Sequence, residues 1–156
     1  MNVPKTFIAA LCRKYGAQLI GLPTPVEGPR LLWAIAGNES SFGANSNPRH
    51  EAAYCTGGKM HSETLSAAWG CLAHMSYGPW QIMFVNATPG ISPLQMAYDA
   101  ELTARMVARF IQTYVLAKAK SLAEIAEVYN AGHVTKDPAY VEKLTANYAV
   151  ALVEFA

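Results

Sequence analysis

A chain of 156 residues suits one domain and is long enough to bury a real core. Hydrophobic residues make up 52% and charged ones only 15%, which excludes a disordered chain. The net charge is +1 with no basic run or stripe, so nucleic acid is not expected as a partner.

Near the N-terminus, Lys5 precedes Phe7-Ile8-Ala9-Ala10-Leu11-Cys12. That run is too short for a signal-peptide core, and Arg13-Lys14 follow without a small-residue cleavage site. It reads as an amphipathic helix from Pro4 to about Tyr15, with Phe7, Ile8, Leu11 and Tyr15 on one face. Residues 16–28 hold two prolines and read as a connector. Pro29 suits the first turn of a second helix, whose Leu31, Leu32, Ile35 and Ala36 face the core. Gly37-Asn38 weaken that helix, which places Glu39 in or just beyond its last turn.

Residues 43–76 form a long insert, structureless at its start and rich in Gly, Asn, Pro and Ser. Ser62 is a candidate cap for a short helix through Trp69 or Leu72. The run Tyr77–Phe84 opens on a Gly-Pro turn and then looks extended. Ser92-Pro93 begins the longest helix, about Pro93 to Lys118, striped by Leu94, Tyr98, Leu102, Met106, Phe110 and Tyr114. Ser121-Leu122-Ala123-Glu124 is a capping box for a helix that stops at Asn130-Ala131-Gly132. Asp137-Pro138 caps the last helix, which runs through Tyr140, Val141, Leu144, Tyr148 and Leu152. The expected architecture is a single all-α domain of five or six helices over residues 1–156, with a small irregular β element near 77–84. No run approaches the roughly 18 apolar residues of a membrane span.

Three short segments carry the chemistry. They are Glu39-Ser40-Ser41-Phe42, then Gly78-Pro79-Trp80-Gln81-Ile82-Met83, then Ala126-Glu127-Val128-Tyr129-Asn130-Ala131-Gly132 followed by Tyr140-Val141. In order and type they resemble the lytic transglycosylase and goose-type lysozyme family, glycoside hydrolase family 23. The resemblance spans Leu31 to about Leu152. It implies a lysozyme-like helical fold and an enzyme that cleaves the β-1,4 bond between N-acetylmuramic acid and N-acetylglucosamine. It also implies that Glu39 is the general acid and that Ser40 steadies its carboxylate or the local backbone. Gln81 would face the sugar subsites, with the Ile82 and Met83 backbone near the N-acetyl group. Tyr129 would aim its hydroxyl at Glu39 or the sugar, and Asn130 would hold the turn beneath it.

The residues themselves agree in outline. A glutamate after Ile35-Ala36-Gly37 and beside Phe42 is placed for desolvation, which raises a carboxyl pKa and keeps a donor proton near neutral pH. Trp80, Phe84, Tyr54 and Trp69 are candidate stacking walls for sugar rings, of which Trp80 is favoured because it lies within the second motif. Trp33, Tyr98, Tyr114 and Tyr148 are assigned to the core.

Two-carboxylate glycosidases need a partner for the acid. The chain has only Asp99 and Asp137, and neither lies between Glu39 and Gln81. That favours a route in which Glu39 serves alone as acid and then base, closing a 1,6-anhydro sugar. Glu51, in Asn47-Pro48-Arg49-His50-Glu51, is the possible second carboxylate of a hydrolytic muramidase. The rival outside enzymology is a silent wall-binding or phage-tail module.

The insert departs from the family pattern and collects His50, Cys55, His61, Cys71 and His74. These are read as ordinary loop histidines and free thiols, with a Cys55–Cys71 bridge and a structural zinc pinning the loop, suggested by the short spacing of Cys71 and His74, as the alternatives; no metal and no cofactor is expected. The expected partner is the peptidoglycan glycan strand, bound by a monomer. Without an export signal, the protein is expected to be made in the cytoplasm. It would then reach the periplasm or wall by release or on a phage particle.

Overall fold

The computed structural model describes residues 2–135 and 137–155. The side chains of Leu152 and Val153 lie outside the described set, and with them the core position expected for Leu152. The fold is mostly helical with a minor antiparallel sheet, as the patterning predicts. Seven α-helices are present among the described residues: α1 Lys5–Gly16, α2 Gly28–Ser40, α3 Glu63–Trp69, α4 Pro93–Tyr98, α5 Ala100–Phe110, α6 Leu122–Ala131 and α7 Pro138–Glu154. No helix among them is long and apolar enough to cross a membrane.

Helix α2 is the centre of the domain. Leu31 through Gly37 are all buried, with α1 on one side and α7 on the other. Gly37 belongs to this packing and does not end the helix. A Cβ there would lie 2.6 Å from the Phe42 ring and 2.9 Å from Asn147 of α7. The helix ends three residues later, where Ser41 and Phe42 take left-handed conformations and both backbone N–H groups turn back to the Ala36 carbonyl. Phe42 then folds over Trp33 with ring centroids 4.7 Å apart.

The expected N-cap residues of the later helices are in place, although Ser121 forms no capping box: Glu124 accepts the Lys120 N–H at 2.6 Å instead. Ser62, Ser92, Ser121 and Asp137 each accept a backbone N–H of the first turn with the side chain. Gly132 closes α6 in the left-handed conformation. The long helix expected over 93–118 is instead broken at Asp99. Its backbone is extended there, and its carboxylate accepts the Leu102 N–H at 2.8 Å, starting a new helix. The capped aspartate outweighs the continuing apolar period, and the break takes the count to seven. A π-helical turn, Ile111–Val115, continues α5. The break also swings Tyr98 out to 77% exposure, so it is not a core residue; Tyr114 and Phe7 are likewise exposed, whereas Tyr148 is buried.

The extended run near 77–84 is a hairpin of β2 Met75–Tyr77 and β3 Ile82–Met83. A third strand, β1 Arg49–His50, comes from the insert and pairs with β2, giving the antiparallel order β1-β2-β3. Beneath the hairpin lies a second apolar cluster of Tyr77, Ile82, Phe84, Met96, Leu102 and Met106.

Candidate active site

Glu39 sits in the last turn of α2, at a cleft of about 340 Å³ that it lines with Asn45, Asn47, Arg49, His50 and Gln81. Its side chain is only 9% exposed. Tyr140, in the first turn of α7, donates its hydroxyl to Oε1 at 2.7 Å. Arg49 Nη2 reaches Oε2 at 3.4 Å. Burial raises the Glu39 pKa, and this outweighs the opposing pull of the Tyr140 hydrogen bond and the Arg49 charge. Burial, helped by the Glu39 charge, holds the Tyr140 phenol well above its ordinary range, so it remains a donor.

The end of α2 is anchored to α7 around this pair. Asn38 donates to the Tyr140 carbonyl at 3.3 Å and accepts from Asn147 at 2.7 Å. Lys143 donates to the Asn38 carbonyl at 2.7 Å. Ser40 acts on the backbone and not on the carboxylate: its hydroxyl donates to the Ala36 carbonyl and accepts the Gly43 N–H.

Gln81 lines the cleft, yet its amide is occupied. Nε2 donates to the carbonyls of Gly78 (2.9 Å) and Asn47 (3.2 Å), and Oε1 accepts from Ser76 at 2.8 Å. The residue is 7% exposed, with a left-handed φ of 46°. It therefore staples the Asn47 loop to the sheet. Bulky residues at positive φ cost about 1–3 kcal/mol each and persist where the surroundings hold them. Gln81, one of three non-glycine examples among the described residues, lines this cleft; the other two, Ser41 and Phe42, form the end of α2.

Two expectations fail for stated reasons. Trp80 is fully buried, at 0% exposure, and its indole N–H donates to the Leu32 carbonyl at 2.8 Å. It cannot offer a ring face to a sugar; Phe84 is buried as well. Tyr129 gives its hydroxyl to the Trp80 carbonyl at 2.6 Å, so its direct partner is the cleft floor and not Glu39. Ile82 packs in the second apolar cluster and Met83 is half-buried beside it. Asn130 is exposed and donates to the Asp137 carboxylate at 3.3 Å, tying the end of α6 to the cap of α7.

Arg49 and Tyr140 are the residues the sequence reading left without a role. Arg49 Nε pairs with Glu51 at 2.8 Å while its Nη2 faces Glu39, so one guanidinium stands between the two carboxylates. Ser76 Oγ lies 2.9 Å from Glu51 as well, so its one proton is shared between Glu51 and Gln81. The Tyr-Val pair at the start of α7 was the available signal for Tyr140. For Arg49 the signal was its place two residues before Glu51.

Of the five metal-binding side chains in the insert, the fold gathers three, His50, Cys55 and His74, with ligand atoms within 4.8 Å of one another. Cys12, Cys55 and Cys71 are free thiols. Comparison of the chain with family models, curated proteins and solved structures finds no match.

Proposed function

We propose that the protein is a peptidoglycan lytic transglycosylase that cleaves the β-1,4 bond between N-acetylmuramic acid and N-acetylglucosamine, with Glu39 as acid and base. The observation that carries this reading is a nearly buried carboxyl with a raised pKa, opening on a cleft and held by a phenol that stays protonated. A helix-end glutamate with no chemical task would extend into solvent. The left-handed backbone of Gln81 in the cleft wall supports a working site over a silent binding module.

In the proposed reaction Glu39 gives its proton to the glycosidic oxygen as the bond to muramic acid C1 breaks. Its carboxylate then takes the proton of the C6 hydroxyl of the same sugar. The C6 oxygen bonds to C1 and closes the 1,6-anhydro ring, with the N-acetyl carbonyl assisting at C1. No water is consumed, and Glu39 ends protonated for the next cycle. Tyr140 stabilises the ionised intermediate state of Glu39 and fixes its rotamer. Positioned proton transfer of this kind contributes about 10²- to 10⁴-fold in rate.

A hydrolytic muramidase is the second reading, and the position of Glu51 beside the cleft-lining Arg49 is what favours it. Glu51 stands on the far side of that guanidinium from Glu39, where it could activate a water. Its bonds to Arg49 and Ser76 favour a structural task for the carboxylate. Mass analysis of digested peptidoglycan separates the two. Transglycosylation predicts fragments ending in 1,6-anhydro-muramic acid, one water lighter than hydrolysis products and resistant to borohydride reduction. Glu51→Gln should keep making them. Reducible ends alone, lost in Glu51→Gln, would replace this reading with hydrolysis.

A further inference from the structure

We propose that His50, Cys55 and His74 bind one zinc ion, which clamps the insert onto the central strand of the sheet. The three residues come from separate pieces of chain. His50 ends β1, Cys55 follows the single 3₁₀ turn Ala52–Tyr54, and His74 ends the 3₁₀ segment Gly70–His74 that leads into β2. The β1–β2 ladder sets His50 opposite Met75, and the Glu51 N–H donates to the His74 carbonyl at 2.8 Å. This pairing brings both histidines to one end of the sheet, and the 3₁₀ turn then returns Cys55 to them.

The spacing fits the chemistry. Zinc takes thiolate sulfur at about 2.3 Å and imidazole nitrogen at about 2.0–2.1 Å, so tetrahedral ligand atoms lie about 3.5 Å apart. Cys55 Sγ is 3.1 Å from His50 Nε2, and all three ligand atoms fall within 4.8 Å of one another.

The second observation is the polar setting of His74. Ser66 Oγ lies 2.8 Å from both the Ser62 carbonyl and His74 Nε2. With zinc on Nδ1, Nε2 carries the proton and donates to Ser66, whose own proton goes to the Ser62 carbonyl. A metal-ligating histidine is ordinarily oriented in this way, by a hydrogen bond from its other nitrogen. Ser66 is in α3, so the ion links that helix to the sheet as well. His61, near His74, already engages the Tyr54 carbonyl at 3.0 Å and Glu63 at 3.2 Å; Cys71 is exposed. Neither is a ligand, and the fourth tetrahedral position belongs to water. Because β1 also carries Arg49, the ion fixes the strand that reaches Glu39.

The test is cobalt titration of the untagged full-length chain, kept reduced with a phosphine. The expected result is one cobalt per chain, with a thiolate-to-cobalt charge-transfer band and tetrahedral visible absorption, both displaced by zinc. Cys55→Ser should lose the charge-transfer band and Cys71→Ser should keep it. Ser66→Ala should retain the band while weakening affinity about 10- to 100-fold. Zinc should raise the melting temperature over that in chelator for the native chain and not for Cys55→Ser. A folded native chain without the charge-transfer band would overturn the proposal, as would an unchanged band in Cys55→Ser or its loss in Cys71→Ser.

Discussion

Replacing Tyr140 with Phe probes the acid directly, because it removes one oxygen and leaves the ring in place. That oxygen donates to Glu39 Oε1 at 2.7 Å, at a side chain only 9% exposed. A hydrogen bond to an ionised group is worth about 1.5–3 kcal/mol, against about 0.5–1.5 kcal/mol for a neutral one. The hydroxyl therefore favours carboxylate over carboxyl by about 1–1.5 kcal/mol, and 1.36 kcal/mol corresponds to one pH unit. Burial already raises the Glu39 pKa, and Tyr140→Phe removes the largest opposing influence. The acid must be protonated to act, so activity falls as pH rises through its pKa. The alkaline limb of kcat/KM against pH for wall digestion should accordingly move up by about one pH unit in Tyr140→Phe, while the maximum rate drops. Arg49→Ala should move the limb in the same direction but by less. Arg49 is about half exposed and 3.4 Å away, and exposed ion pairs contribute about 0.2–1 kcal/mol. A limb that stays still in Tyr140→Phe, or moves to lower pH, would refute the assignment of Glu39 as the titrating acid.

Tyr129→Phe should leave the alkaline limb where it is, since that hydroxyl serves the Trp80 carbonyl. Chemical denaturation should show a loss of about 1–2 kcal/mol from the orphaned acceptor. Glu39→Gln should change how stability depends on pH. Because the folded pKa is raised, the native state holds the proton more tightly than the unfolded chain, whose glutamates titrate near 4.3. The stabilisation is full below that value and is lost as pH rises to the folded pKa, at about 1.4 kcal/mol per pH unit, then levels. Paired melts from pH 3 to 8 should show the native chain losing this increment and the glutamine variant not. Gly78→Ala should destabilise by about 1–3 kcal/mol in the same denaturation assay. The glycine has φ of 72°, and a Cβ would come within 2.4 Å of the Thr103 hydroxyl oxygen.

Much of the fold follows from local chemistry that a sequence displays. Ser62, Ser121 and Asp137 start helices because their side chains complete backbone donors, and the Glu39 position follows from the apolar period of α2. The break at Asp99 shows the limit of periodicity. The same residue suits a helix interior by spacing and a cap by chemistry, and only packing decides between them. The burial of Glu39 was legible and its hydrogen-bond partners were not. Tyr129 and Tyr140 both lie near Glu39, as its charge acts on both phenols. Which hydroxyl reaches the carboxylate depends on how α6 and α7 cross α2, over a separation of 101 residues for Tyr140. Trp80 looked like a sugar platform because its motif borders the cleft. Its indole N–H instead found a carbonyl within α2, a long-range contact with no local signature. Likewise the gathering of His50, Cys55 and His74 depends on the β1–β2 register, which irregular spacing does not reveal.

The proposed reaction turns on Glu39 carrying the proton that breaks the glycan bond. Release of soluble fragments from purified bacterial walls should be compared for the native protein and Glu39→Gln, at matched concentration and with matching circular dichroism. The variant should release fragments at least about 100-fold more slowly. A folded Glu39→Gln protein that clears walls at the native rate would contradict that reaction.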